Sequence, residues 1–137
     1  MKTGAMKIVV AAVIQEEKRV LLVRRGPEQK QAGYWEFPGG KLEPGETYSQ
    51  CIEREIFEEL GLIIEAGDQV ATSDFEYPNG AIRLVGMLAS IKRGTLTLSV
   101  HDRYAWALPC ELGSYMLAPA DIPIANELER LTSGDRH

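Results

Sequence analysis

Apolar residues run almost unbroken from Ile8 to Ile14 and again from Val20 to Val23, separated by the charged stretch Glu16-Glu17-Lys18. Such β-branched runs predict two strands, Lys7–Gln15 and Arg19–Arg25, forming a hairpin or a strand pair in the core of a mixed sheet. The period then changes. Ile52, Ile56 and Leu60 recur every four residues, Thr47 followed by Gln50 offers a capping box, and Gly61 supplies a stop, so a helix is expected over Tyr48–Leu60.

The remaining pattern fills in around these elements. Gly26 to Gly33 is glycine- and proline-bearing and mostly polar, as a surface loop would be, and Tyr34 to Gly40 reads as a short strand entering a turn. Leu62–Glu65 and Gln69–Tyr77 are expected strands, and Pro78-Asn79-Gly80 turns the chain into a return strand, Ala81–Ile91. Thr95–Val100 alternates apolar and polar residues, and Tyr104–Leu108 would be the last strand. Glu111–Met116 is expected as a short helix, and Ala120–Leu131 as a longer one with Ile124, Leu128 and Leu131 at helical spacing.

Composition narrows the class. A chain of 137 residues with 45% hydrophobic and 26% charged content suits one globular domain over 1–137. A net charge of -5 speaks against sequence-independent binding of a nucleic-acid polymer, which needs a basic surface. The segment from Met1 to Lys7 followed by Ile8–Ile14 superficially resembles a signal peptide, but no clear cleavage site follows, and no apolar run is long enough for a membrane span. Cys51 and Cys110 form neither a metal-binding spacing nor a disulfide framework, which fits reduced thiols and a cytoplasmic location.

The chemistry gathers on the expected helix. Glu55, Glu58 and Glu59 fall on one flank within an arc of about 100°, beside the apolar stripe. Like charges at this spacing repel, so local helix stability does not explain them. A hard divalent cation, magnesium or manganese, would, because it takes oxygen ligands and leaves room for substrate phosphates. A solvated acidic helix face is the alternative.

The stretch from Gly40 to Leu62 fits Gly-x5-Glu-x7-Arg-Glu-U-x-Glu-Glu-x-Gly-U, with U a bulky aliphatic residue, at every position. It resembles the signature of the Nudix hydrolases, and the run Trp35-Glu36-Phe37-Pro38-Gly39-Gly40-Lys41 is similar to that of their MutT-like branch. The resemblance implies an α/β fold with a mixed β-sheet in an α/β/α sandwich. It also implies attack by water on a phosphorus of a nucleoside diphosphate linked to another group. Glu55, Glu58 and Glu59, with the Gly39 carbonyl, would bind Mg2+ or Mn2+, Glu46 would be a more distant or additional metal contact, and Arg54 would orient the glutamates. Gly40 and Gly45 would let the loop fold back over the helix.

By the same resemblance Arg25 aligns with a phosphate-contacting arginine and Glu36 would touch sugar or base. Leu117-Ala-Pro-Ala-Asp121-Ile-Pro-Ile124 resembles the base-recognition segment of MutT-like enzymes and is especially similar to that of bacterial CTP pyrophosphohydrolases. The implied substrate is a nucleoside triphosphate, CTP or a modified pyrimidine or oxidised nucleotide, handled by a monomer or homodimer. Asp121 stands where the MutT pattern has Asn; an ionised Asp only accepts hydrogen bonds and would suit the cytosine amine. Capping of the last helix is its alternative role. The branch often carries a catalytic Glu six residues before the late tryptophan; here that position is Val100, and Asp102 is the expected substitute. Hydrolysis of ADP-ribose or a dinucleoside polyphosphate, or a non-catalytic nucleotide-sensing domain, are the competing functions.

Overall fold

The computed structural model describes residues 6–134; most of the signal-like start, Met1 to Ala5, lies outside them. Strands β1 (Lys7–Glu16) and β2 (Arg19–Arg25) join through Glu17 and Lys18, both at positive φ. They pair only at Gln15↔Val20 and Glu16↔Arg19 and then diverge into two sheets. In one, β1 lies parallel to β6 (Gly80–Gly94) and antiparallel to β4 (Gly39–Lys41), with β5 (Leu62–Tyr77) outside β6. In the other, β2 runs between β3 (Trp35–Glu36) and β7 (His101–Ala107), antiparallel to both.

Because β1 is covered on both faces, it needs no polar alternation. Val10, Ala12 and Ile14 enter one core with Ile52, Ile56 and Leu60 of α1 (Tyr48–Leu60). Ala11 and Val13 enter the other with Ile124 and Leu128 of α2 (Ile122–Gly134). The two helices thus flank the mixed sheet as an α/β/α sandwich.

Helix α1 has the expected bounds. Thr47 is its N-cap, its hydroxyl accepting from Gln50 N while the Gln50 side chain accepts from Thr47 N. Gly61 closes it at φ 71°, donating its N–H to Phe57 O. A residue with a β-carbon would be strained there.

Other expectations are corrected. The single strand expected over Tyr34–Gly40 is two, because the chain crosses from the β2 sheet to the β1 sheet at Phe37-Pro38. Leu62–Glu65 and Gln69–Tyr77 are one strand, with register shifts between Ala66 and Ala71 absorbing the extra residues. Residues 95–100 form no strand. Leu96 and Leu98 still pack on the α1 core, while Thr97 N and Ser99 Oγ donate to the Leu60 and Glu59 carbonyls at the end of α1. The alternation there reports a half-buried cover whose hydrogen bonds go to a helix end. β7 starts three residues before Tyr104, and the short helix near Glu111 is a 3-10 turn over Pro109–Ser114. The last helix begins with a 3-10 turn, Pro119–Asp121, ahead of α2.

Candidate functional site

Arg54 organises the acidic flank of α1. Its Nε donates to Glu46 Oε2 at 2.6 Å and its Nη2 to Glu46 Oε1 at 3.0 Å. Nη1 donates to Glu55 Oε2 at 3.0 Å and to Glu58 Oε1 at 3.3 Å, and Nη2 also reaches Lys41 O at 3.3 Å. The Arg54 guanidinium and the Glu43 N–H hold the Glu46 carboxyl at about 2. Beneath, Cys51 is buried with its Sγ 3.6 Å from Gly40 O and 3.5 Å from Lys41 O, and burial pushes its thiol up to about 12.

The two glycines before the loop serve different neighbours. A β-carbon on Gly39 would run into the backbone of Val10 and Ala11 in β1, whereas one on Gly40 would fall on the carboxylate of Glu55. Gly39, whose carbonyl is the expected ligand, lies in β4 opposite Ala11. Gly45 turns the loop at φ 84°. An open cleft of about 910 Å³ runs along this wall, lined by Gly40, Lys41, Glu43, Glu46, Glu55 and Glu59 among others.

Glu59 is the most confined of the expected ligands. Burial first, then the charges of Glu55 and Glu36, raise its carboxyl to about 7. Its Oε1 is buried without a hydrogen-bond partner. Glu55 is also raised, again chiefly by burial, while Glu58 is exposed. As the side chains stand, no three metal-binding groups among the described residues converge on one point, since Arg54 bonds both Glu55 and Glu58. The donor chemistry nevertheless fits a hard cation. It is all oxygen, carboxylate and carbonyl, and the unpaired Glu59 oxygen is the kind of buried group a cation satisfies.

A second polar cluster lies deeper. Arg25 Nε donates to Glu36 Oε1 at 3.0 Å, and Glu36 Oε2 is 2.9 Å from His101 Nε2. Asp121, 5% exposed, accepts the Phe37 N–H on Oδ2 at 2.9 Å. Burial, then the Glu36 charge, raises the Asp121 carboxyl well above its ordinary range. Backbone pairing stitches this cluster together. Trp35 N donates to Met116 O and Ala118 N to Trp35 O, both at 2.8 Å, so residues 116–121 dock along β3 and carry Asp121 to Phe37. The Asp121 carboxylate therefore reaches back to β3, and the helix-cap alternative gives way.

Asp102 is not brought to this cluster. Both its oxygens accept from Arg24, at 2.9 Å each, and both side chains are about one-third exposed. The reason is a bulge: Arg24 pairs with Arg103 but Arg25 with His101, so Asp102 is the extra residue of β7. The group delivered to Glu36 is His101, which the sequence reading passed over. Its position beside Val100 was the available signal, and spacing along the chain does not reveal the bulge.

Comparison with known proteins places this geometry among relatives. Residues 5–129 match the NUDIX domain. The chain is 41% identical over 116 residues to the CTP pyrophosphohydrolase of Escherichia coli (strain K12), covering 85% of this chain and 86% of that protein. It is 29% identical over 126 residues to the 8-oxo-dGTP diphosphatase of the same organism, covering 92% and 98%. The crystal structure of a MutT protein from Methanosarcina mazei Go1 superposes with a TM-score of 0.84 at 27% identity, covering both chains fully.

Proposed function

The chain belongs to the NUDIX family, and from that premise we propose that it is a nucleoside triphosphate pyrophosphohydrolase acting on CTP or on modified pyrimidine or oxidised nucleotides. The reaction is NTP plus water to NMP plus pyrophosphate, a step of nucleotide-pool sanitation in the cytoplasm. The observation that carries the substrate reading is the carboxylate of Asp121, fixed on the Phe37 N–H beside the Arg25–Glu36 pair. The 41% identity to a CTP pyrophosphohydrolase supports the same substrate.

Nudix hydrolases generally use a divalent cation. Glu55, Glu58 and Glu59 would hold it here, with the Gly39 carbonyl as a further oxygen, and we propose magnesium, with manganese as a substitute. When bound, such a cation neutralises phosphate charge and makes an attacking water more acidic. Arg54 anchors Glu46 and bonds Glu55 and Glu58, tying the three acids to one guanidinium that a cation would have to displace from Glu55 and Glu58. Arg25 meets the triphosphate with a guanidinium, whose fork suits phosphate oxygens, while Glu36 and Asp121 face sugar and base. Water supplies the oxygen that bonds to phosphorus, and pyrophosphate leaves with the electrons of the broken P–O bond.

The test is product analysis on a panel of nucleoside triphosphates, ADP-ribose and dinucleoside polyphosphates with magnesium. The proposal expects NMP and pyrophosphate from a pyrimidine triphosphate. Ribose phosphate or two nucleoside monophosphates as the preferred products would replace it with another Nudix hydrolysis. A chain that turns over none of them would favour the non-catalytic alternative.

A further inference from the structure

The Arg25–Glu36 pair stands on a third residue. His101 has a side chain only 3% exposed, and its Nε2 lies 2.9 Å from Glu36 Oε2 while Arg25 Nε holds Glu36 Oε1 at 3.0 Å. Both oxygens of Glu36 are thus engaged from opposite partners. A proton on Nε2 would make the imidazole a donor to Glu36 Oε2. That would fix the ring's orientation. The other ring nitrogen, Nδ1, is buried and has no hydrogen-bond partner.

The consequence runs through Arg25. Its Nε is committed to Glu36 and its Nη1 to Lys30 O at 3.0 Å, while Nη2 bonds nothing among the described residues. The direction of that remaining nitrogen is therefore set by where Glu36 is held. The β7 bulge is what makes this possible, because it sets His101 opposite Arg25 and sends Asp102 to Arg24.

We propose that His101 is a positioning residue of the nucleotide site: through Nε2 it locks Glu36, and through Glu36 it aims Arg25 at the substrate's phosphates. This rests on the pyrophosphohydrolase reading above. It predicts an effect on binding rather than on the chemical step, and one that depends on a donor at the Nε2 position.

The substitutions separate these features. In His101→Gln the side-chain amide places an N–H close to where Nε2 stands, whereas His101→Asn is too short to reach and His101→Leu has no donor. Asn and Leu are expected to raise KM for the preferred triphosphate on the order of tenfold, with kcat within about twofold and folding checked by thermal melts. Gln should restore KM to within about threefold of the wild type. Equal losses in Gln, Asn and Leu, or a fall in kcat at constant KM, overturn the proposal.

A readout independent of turnover is the imidazole nitrogen spectrum, which is simple because the chain has only two histidines, His101 and His137. The Nε2–H tautomer is expected for His101, and an Nδ1–H tautomer overturns the proposal. If Asn and Leu variants do not fold, this spectrum and the Gln variant still decide. A wild type that hydrolyses no triphosphate yet shows the Nε2–H tautomer would instead overturn the pyrophosphohydrolase reading.

Discussion

Gly40 and Glu55 occupy adjoining space: a β-carbon on residue 40 would fall on the Cδ and both oxygens of the Glu55 carboxylate. The neighbouring Gly39 faces the backbone of β1 instead. A side chain can swing aside and a strand cannot, so the two glycines should fail differently. Gly39→Ala is expected to destabilise the fold by about 1–3 kcal/mol. Gly40→Ala should cost less than about 1 kcal/mol but displace Glu55 and lower kcat about a hundredfold. Melting curves and steady-state kinetics on both variants check this; the idea fails if Gly40→Ala keeps full activity.

The sequence made α1 legible to the residue because its start, stripe and stop are local: Thr47 with Gln50, Ile52 with Ile56 and Leu60, then Gly61. Arg54's tie to the glutamates came from the resemblance; the helix brings Arg54 and Glu58 together at i,i+4, while its bonds to Glu46 reach into the preceding loop. Non-local contacts were not legible. Asp121 bonds a backbone group 84 residues away, and nothing near it in the chain distinguishes that from a helix cap. Asp102, expected to substitute for the Glu absent at Val100, is turned to Arg24 by a bulge that spacing along the chain does not reveal.

That bulge has its own test. Asp102 pairs with Arg24 in a partly exposed salt bridge, a type that solvent screening leaves with little net effect on stability. Asp102→Asn should therefore leave kcat within about twofold and the melting curve nearly unchanged. A loss of kcat beyond a factor of about ten would return Asp102 to the catalytic machinery and require Arg24 to release it.

Stability and metal binding should be linked through Glu59. Its carboxyl is raised from 4.5 to about 7 by burial, and Asp121 is raised in the same direction. A group that binds its proton more tightly when folded stabilises fully below its unfolded pKa, and that contribution is lost as pH rises through the folded value. The melting temperature without metal should accordingly fall between about pH 5 and pH 8. A divalent cation competes with that proton, so the increment from magnesium should grow over the same interval. Glu59→Gln should remove much of the slope. Melts with EDTA or magnesium across this range decide it; a rising apoprotein curve, or a magnesium increment independent of pH, would count against the assignment.

Asp121 bears on which base is read. Its Oδ2 holds the Phe37 N–H, a bond an Asn oxygen reproduces, so Asp121→Asn should fold as well as the wild type. The difference lies in the other oxygen. Ionised, it only accepts and suits the cytosine amine; protonated, the acid has one donor and one acceptor, as Asn does. Because burial and Glu36 raise this carboxyl, the wild type should resemble the Asn variant in acid and depart from it as pH rises. The expected departure is a preference for CTP and 5-methyl-dCTP over 8-oxo-dGTP, growing by roughly one to two decades in relative kcat/KM, with the Asn variant flat. The measurement is kcat/KM for the three nucleotides on both proteins across the neutral to alkaline range. Parallel profiles would make Asp121 a structural tie between the 116–121 segment and β3, and the pyrimidine preference would then have to be sought in Glu36 and its partners.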